Sequence, residues 1–476
     1  MQAPNLQNHI MLNEGGRKLH FFFSYLLASY YGTGYKKWNL PLIAVINSRN
    51  NDAQWRIFAE HVEVYDDIFY SYLRGEESSF EIEKEMGLLS ENFHSEFSSF
   101  LNTGSKNSER LMEVVSGVQN LAFFSGLLRV IDRGAQRYFD RYPVASFSHQ
   151  ETIEVISISE RELFLAQEER ALLIVALEAK QRGITTADDE LLVKPLLEIH
   201  ERFSSLITGY FSEPSRTMGY YHAFINSHIQ DPESALKILD EKNAESAERR
   251  RKFLQACSAE QKLAAALASH IVYLKDLYKH YINRIIVRLE KEFFVPLADE
   301  CQRNIEDLLS LTYDELIKAH ETGVTPSDEI LGARREHCIL IGGMEKVILL
   351  TAEEAADFEQ QWLLPKEEER KIFKGRCACK GQVRGRARIV LGVEDFNKVE
   401  DGDIIVVRNT SPDYVPILKS VSAIIAEDGG ITAHVAVISR EMKIPTVVGI
   451  LHAPLLFKDG DMVEVDADRG IITISE

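Results

Sequence analysis

Gly429, Gly430, Thr432 and His434 stand between a β-branched run that ends at Glu427 and an apolar-periodic stretch, Val435 to Met442. A glycine pair at a strand-to-helix corner can take positive φ and carries no β-carbon, so main-chain amides can close on an anion. Thr432 is the expected N-cap. His434 then falls in the first helical turn, where unpaired N–H groups and the positive end of the helix dipole gather. That environment disfavours an imidazolium, so a neutral, nucleophilic ring is expected at pH 7. Once phosphorylated on a ring nitrogen, the histidine would have its phosphoryl oxygens held by the same amides and by the Thr432 hydroxyl. A solitary histidine in a first turn is more often a solvated surface residue, so the surrounding chain must decide.

The elements that would position this corner are short. Beyond residue 371 the runs RARIVL, DIIVVRN, SAIIAED, TVVGI, MVEVDAD and IITIS are separated by Asp401-Gly402, Asp459-Gly460 and Arg469-Gly470. They predict a compact strand-rich domain over 372–476 with short helices near 412–420 and 432–442. Before it, LPKEEERK at 364–371 reads as a linker. From about 55 to 360 the helical period dominates. Leu111, Val114, Val115, Val118, Leu121, Leu128 and Ile131 form one stripe, and Leu263, Leu267, Ile271, Leu274, Tyr278, Ile282, Ile285 and Leu289 form another over about 260–295. Ser159 with Glu162, Thr312 with Glu315 and Thr351 with Glu354 have the spacing of helix-starting capping boxes. Residues 17–31, RKLHFFFSYLLASYY, loosely imitate a secretion signal but are short, aromatic and broken by serines, so a buried amphipathic helix is expected there. The fold class is therefore multidomain α + α/β: a large all-helical region over 1–363, then a compact β/β/α domain.

The stretch GGITAHVAVISREMKIPTVVG resembles the phosphohistidine signature of the phosphoenolpyruvate-utilising family, which includes phosphoenolpyruvate synthase, pyruvate phosphate dikinase and rifampicin phosphotransferase. KGQVRGRARIVL, DGDIIVV, TSPDYVPILK and DGDMVEVDADRGIITI carry the resemblance through the last hundred residues. It implies a swivelling domain in which His434 carries a phosphoryl group, with Gly429, Gly430 and Thr432 around it. Ala433 stands where relatives often have serine or cysteine, which implies tuning rather than loss. SHIVYLKDLYKHYINRIIV and NIEDLLSLTYDELIKA resemble, less sharply, the helical domain that precedes the swivelling domain in rifampicin phosphotransferase and receives the acceptor there.

The first 370 residues are too helical for an ATP-grasp domain, no G-x-x-x-x-G-K occurs, and a pyruvate-binding barrel would need about 250 further residues. The expectation is thus a phosphocarrier component working with an ATP-grasp subunit in trans. Mg²⁺ and ATP, or phosphoenolpyruvate, would be held on that partner, and a small molecule would accept the phosphoryl group. No cofactor or metal is expected on the chain itself. The alternatives are a regulatory protein that has kept the fold without turnover, and an antibiotic-type phosphotransferase whose ATP domain is supplied in trans.

A net charge of −19 argues against nucleic acid or an anionic membrane as the main partner. Five cysteines without a C-x-x-C pair indicate neither disulfides nor zinc and suit the cytoplasm. Glu91 and His94 are one E-x-x-H pair where a di-iron bundle needs two. Cys377 and Cys379 alternate on an expected strand, Lys275, Lys279 and Arg284 punctuate the second long helix, and Asp413 is expected to cap a short helix. Residues 240–253, of mixed charge, read as a solvated helix face.

Overall fold

A computed structural model of the chain describes residues 11–18, 44–49, 52–58, 63–103, 108–206, 216–342, 347–363, 372–408, 410, 414–427, 434–450 and 453–475. The expected linker at 364–371, the expected helix from residue 19 onward, Asp413, Gly429, Gly430 and Thr432 lie outside the described residues.

The first predicted stripe is core throughout and the second from Ile271 onward. The helix Ser108–Arg141 buries all seven of its stripe residues, from Leu111 to Ile131. It packs against Glu63–Leu73, Ser79–Thr103 and the helix Ala259–Leu289. Part of it, within Arg110–Arg141, is long and apolar enough to cross a membrane. Those neighbours cover its apolar face, so burial in a helical core accounts for the composition. The helix 259–289 starts with a capping box in which Ser258 and Gln261 serve each other's backbone, and it buries Ile271, Leu274, Tyr278, Ile282, Ile285 and Leu289. Leu263, expected on that stripe, is exposed instead. In the mixed-charge stretch Arg250 is buried and grips Glu160 at 2.6 Å; the rest of that face is mainly solvated.

The boxes resolve differently. Thr312 donates its N–H to Glu315 Oε2 at 2.8 Å and begins Tyr313–Thr322. Thr351 sits at the start of Ala352–Phe358 without a side-chain cap bond. Ser159 starts no helix. Its hydroxyl bonds to the Arg161 carbonyl, and the next helix begins five residues later at Phe164, whose N–H is taken at 2.7 Å by Asp276 of helix 259–289. A carboxylate brought in by tertiary packing replaces the local cap.

The region 1–363 is not all-helical, which corrects the sequence expectation. Strands β1 Met11–Lys18, β2 Ala44–Arg49, β3 Asp52–Phe58, β4 His337–Gly342 and β5 Val347–Thr351 form an antiparallel sheet in the order β1-β3-β2-β4-β5. Arg17 and Lys18, assigned above to a helix, end β1. Asn13, Glu14, Gly15 and Gly16 are poor strand formers, and β1 is held by its partner β3 across a bulge between Asn13 and Gly15. β4 is buried at all six positions and pairs with β2 from Ala44↔Gly342 to Arg49↔His337.

The carboxy-terminal domain follows the prediction closely. Its sheet has the order β6-β13-β12-β8-β9-β10-β11-β7, with β6 Ile372–Lys374, β7 Arg376–Cys379, β8 Gln382–Ile389, β9 Ile404–Val407, β10 Ala423–Ala426, β11 Thr446–Val448, β12 Met462–Asp466 and β13 Ile471–Ser475. The stretch β8–β9–β10–β11 is parallel and the flanks are antiparallel. Ile404, Val406, Ala423 and Ile425 belong to one apolar core, while Ile405, Val407, Ile424 and Ala426 belong to another. Burial on both faces is why these strands read as unbroken apolar runs. Gly470, at φ +66°, lets Gly375 approach until its N–H meets the Gly470 carbonyl at 2.8 Å; a β-carbon there would lie 2.5 Å from the Gly375 carbonyl oxygen.

Candidate functional site

The helix His434–Met442 begins at His434, as the sequence predicted for a first-turn histidine. It connects β10 to β11, which lie parallel and adjacent, so the helix is the crossover of a β–α–β unit. Its amino terminus therefore lies at the carboxyl end of the parallel strands, the edge at which open α/β sheets place their ligands. Glu427, buried at that edge, donates its N–H to the Val407 carbonyl at 3.0 Å and so ties the departing chain to β9.

The helix is held rigidly. Val435 and Ala436 are fully buried against the second core, with Ile438 and Met442 partly buried beside them. Ser439, also fully buried, bonds the Ala436 carbonyl at 3.2 Å. At the other end Lys443 adopts φ +57°, and the N–H groups of Ile444 and Lys443 return to the carbonyls of Ser439 and Arg440 at 2.9 and 3.3 Å. That left-handed closure satisfies the last carbonyls and stops the helix. The helix is thus held by its buried face and closed at its carboxyl end.

The solvent side of the same helix meets the helical body. Arg440 forms an ion pair of 3.5 Å with Glu154, which also receives Arg249 at 2.8 Å. Around this contact lies a cleft of about 730 Å³ whose walls include Asp132, Lys275, Arg249, Arg440 and Glu441. Lys275 is bound to Asp132 at 3.0 Å. Of the three basic residues singled out on the long helix, the structure brings only Lys275 to this cleft; Lys279 and Arg284 are exposed elsewhere. Six residues separate His434 from Arg440, so the helix amino terminus lies roughly 9 Å along the axis from the Glu154 contact. Sequence reasoning missed Arg440 and Glu154. Arg440 lies inside the motif that drew attention, but its partner is 286 positions upstream in the numbering.

The remaining candidates find structural explanations. His94 faces Arg288, which donates to its carbonyl at 2.9 Å, and burial, followed by the charges of Arg284 and Arg288, lowers the ring's pKa to about 4. Among the described residues no group of His, Cys, Asp and Glu has the geometry to hold a metal ion. Cys377 and Cys379 share β7 half-buried, and burial raises both thiols, with their mutual charge adding to Cys377. They are poor nucleophiles at neutral pH.

Residues 399–470 match the family described as PEP-utilising enzyme, mobile domain. A probable phosphoenolpyruvate synthase of Archaeoglobus fulgidus is 42% identical over 101 residues, which are 21% of this chain and 13% of that protein. A second probable phosphoenolpyruvate synthase, of Pyrococcus horikoshii, is 43% identical over 106 residues, 22% of this chain and 13% of its own. Rifampicin phosphotransferase of Bacillus cereus is 31% identical over 200 residues, 42% of this chain and 22% of its own. The matched part therefore spans less than a quarter of each of these relatives.

Proposed function

We propose that the chain is the phosphohistidine carrier of a phosphotransferase, because residues 399–470 match the PEP-utilising enzyme mobile domain and the similar proteins include phosphoenolpyruvate synthases and rifampicin phosphotransferase. A ring nitrogen of His434 attacks phosphorus in ATP or phosphoenolpyruvate, and the P–O bond to the nucleotide or enolate breaks. The phosphoryl group then passes from His434 to the oxygen of a small-molecule acceptor, regenerating the neutral imidazole. The donor sits on an ATP-grasp partner with Mg²⁺, which neutralises the phosphoryl oxygens there. Gly429, Gly430 and Thr432 cradle the transferred group.

The observation that carries this reading is the place of His434: it opens a helix whose crossover position puts its amino terminus at the carboxyl edge of β9, β10 and β11. The Arg440–Glu154 contact is one resting position of the domain, from which it moves to the donor.

Rifampicin phosphotransferase supports a more specific form of this reading. Its 200-residue match is nearly twice the length of the 372–476 domain, so similarity runs into the helical body, whereas the synthase matches, at 101 to 122 residues, extend little or not at all beyond that domain. The helical body then presents the acceptor, as in an antibiotic-type phosphotransferase with its nucleotide domain in trans.

The test uses potassium phosphoramidate, a donor that needs no partner, on the full chain. Acid-labile, alkali-stable phosphate should form at His434 faster than at any other of the 14 histidines, and His434→Ala should remove it without changing the unfolding temperature. Phosphorylation of His434 no faster than that of exposed histidines would reject the carrier role and leave a regulatory protein on the same fold.

A further inference from the structure

A second cavity, of about 390 Å³, opens on the helical body between the start of helix Ser79–Thr103, the segment at 159–161 and helix 259–289. It is separate from the interdomain cleft. His270 lines this cavity and Val272 lines the cleft, and residues two positions apart on a helix point about 200° apart around its axis. The walls are largely apolar, with Tyr72, Phe80, Leu263, Leu267 and Tyr273 among them. Leu263 and Phe80, exposed although large and apolar, are accounted for by this cavity.

Three polar side chains form a chain of contacts at its wall. Ser79 Oγ lies 2.8 Å from His270 Nδ1, and His270 Nε2 lies 3.3 Å from Glu83 Oε2. Arg161 donates to the other oxygen, Glu83 Oε1, at 2.6 Å, and its guanidinium rests 4.6 Å over the Tyr273 ring. The order of donors follows from chemistry. A carboxylate paired with arginine only accepts, so Nε2 carries the ring proton, Nδ1 offers a lone pair, and the Ser79 hydroxyl must donate to it. Burial lowers the His270 pKa, against the opposing pull of Glu83, so the ring is the neutral base this order requires. Phe80 lies against the imidazole with ring centroids 4.5 Å apart, excluding water from one side. Ser79 also sits at the amino terminus of a 25-residue helix, whose dipole favours negative charge developing beside it.

We propose that Ser79 is the nucleophile, and His270 the general base, of an acyl-transfer site that hydrolyses small uncharged esters with an apolar acyl group. Glu77 and Glu160 at the cavity repel anionic substrates, and the cavity volume limits the acyl chain. In the first step Ser79 Oγ bonds to the carbonyl carbon while its proton passes to His270 Nδ1. The C–O bond to the alcohol then breaks, and the alcohol leaves with that proton. Water repeats the sequence on the acyl-serine, releasing the carboxylic acid and restoring Ser79. Glu83 is a positioning residue that fixes the tautomer and plane of His270.

The test is labelling of the full chain with a short alkyl fluorophosphonate, with p-nitrophenyl butyrate as substrate. One adduct per chain at Ser79, found by peptide mapping of the wild-type protein, is the expected result. Ser78→Ala should keep it and Ser79→Ala should lose it together with ester hydrolysis. His270→Ala should slow labelling by roughly a hundredfold or more, as loss of a general base does. Glu83→Gln should slow labelling several-fold while leaving the final stoichiometry full, a change that a purely structural role for Glu83 would not produce. No adduct at Ser79 in the wild-type protein, or equal labelling rates with and without His270, overturns the proposal whatever becomes of the phosphohistidine reading.

Discussion

Within β9 of the carboxy-terminal domain, Ile404 and Val406 face one core and Ile405 and Val407 the other, so four successive residues state the fold around them. In the helical body, β2 pairs locally with β3, but its other edge is filled by β4, which sets Ala44 opposite Gly342 from nearly 300 residues away. The first region is specified by neighbours in sequence and the second by partners across it. The body should therefore be the region where single long-range contacts matter most.

The sharpest test of that contrast is Arg334. It is buried at the end of the helix preceding β4, binds Glu315 through two nitrogens at 2.6 and 2.9 Å, and reaches the Ser310 carbonyl. Arg334→Ala leaves the half-buried Glu315 with only the Thr312 cap, which costs roughly 1.5–3 kcal/mol. Hydrogen exchange should then speed up across β2, β4 and β5 while peptides from 372–475 keep their protection. Uniform loss of protection in both regions would contradict the contrast. The loss also depends on pH in a defined direction. Burial pushes the Glu315 carboxyl up, but Arg334 and Thr312 outweigh it and hold it below its ordinary 4.5. Stability from the pair is complete above about pH 4.5 and disappears as pH falls through the lower folded value, so wild type and Arg334→Ala should converge in acid.

Acid separates the two regions by another route. His280 is buried, stacks on Phe164 with centroids 4.2 Å apart, and has its pKa lowered to about 4 by burial first and then by Arg284 and Arg202. Unfolded, it takes up a proton near 6.5; folded, it does not until about 4. Stability of the body should accordingly fall by up to about 3 kcal/mol as pH drops from 6.5 to 4, and level off below. Only two of the 14 histidines, His434 and His452, lie beyond Ile372. Thermal melts over that pH range should show the body's transition moving further than the domain's, and His280→Gln should flatten the slope.

The same contrast explains what could be read from the sequence. His434 at a helix start, the two buried stripes and every strand from β8 to β13 were legible because each is announced within about ten residues. The first sheet was not. β1 contains Asn13, Glu14, Gly15 and Gly16, which signal a turn, and β2 and β5 are short runs that a helical neighbourhood masks. Ser159 and Glu162 had the right spacing for a cap, yet Asp276 from another helix took the role. Ser79, His270 and Glu83 escaped because only Ser79 and Glu83 are neighbours in sequence, and the histidine that joins them is 191 positions from Ser79. Spacing motifs find chemistry built on one element and miss chemistry assembled between elements.

The smallest effect expected is at the seam between the regions. Arg440 and Glu154 are partly exposed and 3.5 Å apart, and Glu154 already has Arg249, so their pairing contributes well under about 1 kcal/mol. Arg440→Ala should leave the unfolding of both regions where it was. Its consequence is positional. Helix 434–442 touches the body through its carboxy-terminal half, while its cores hold it in the domain through Val435 and Ala436. Losing Arg440 therefore changes where the domain rests and not how it is built. Small-angle scattering should show a broader distance distribution for Arg440→Ala than for wild type, with a matching change for Glu154→Gln and added salt weakening the wild-type contact in the same direction. If the distribution stays the same, the seam is a rigid part of one body, and delivery of a phosphoryl group by movement of the domain must be abandoned.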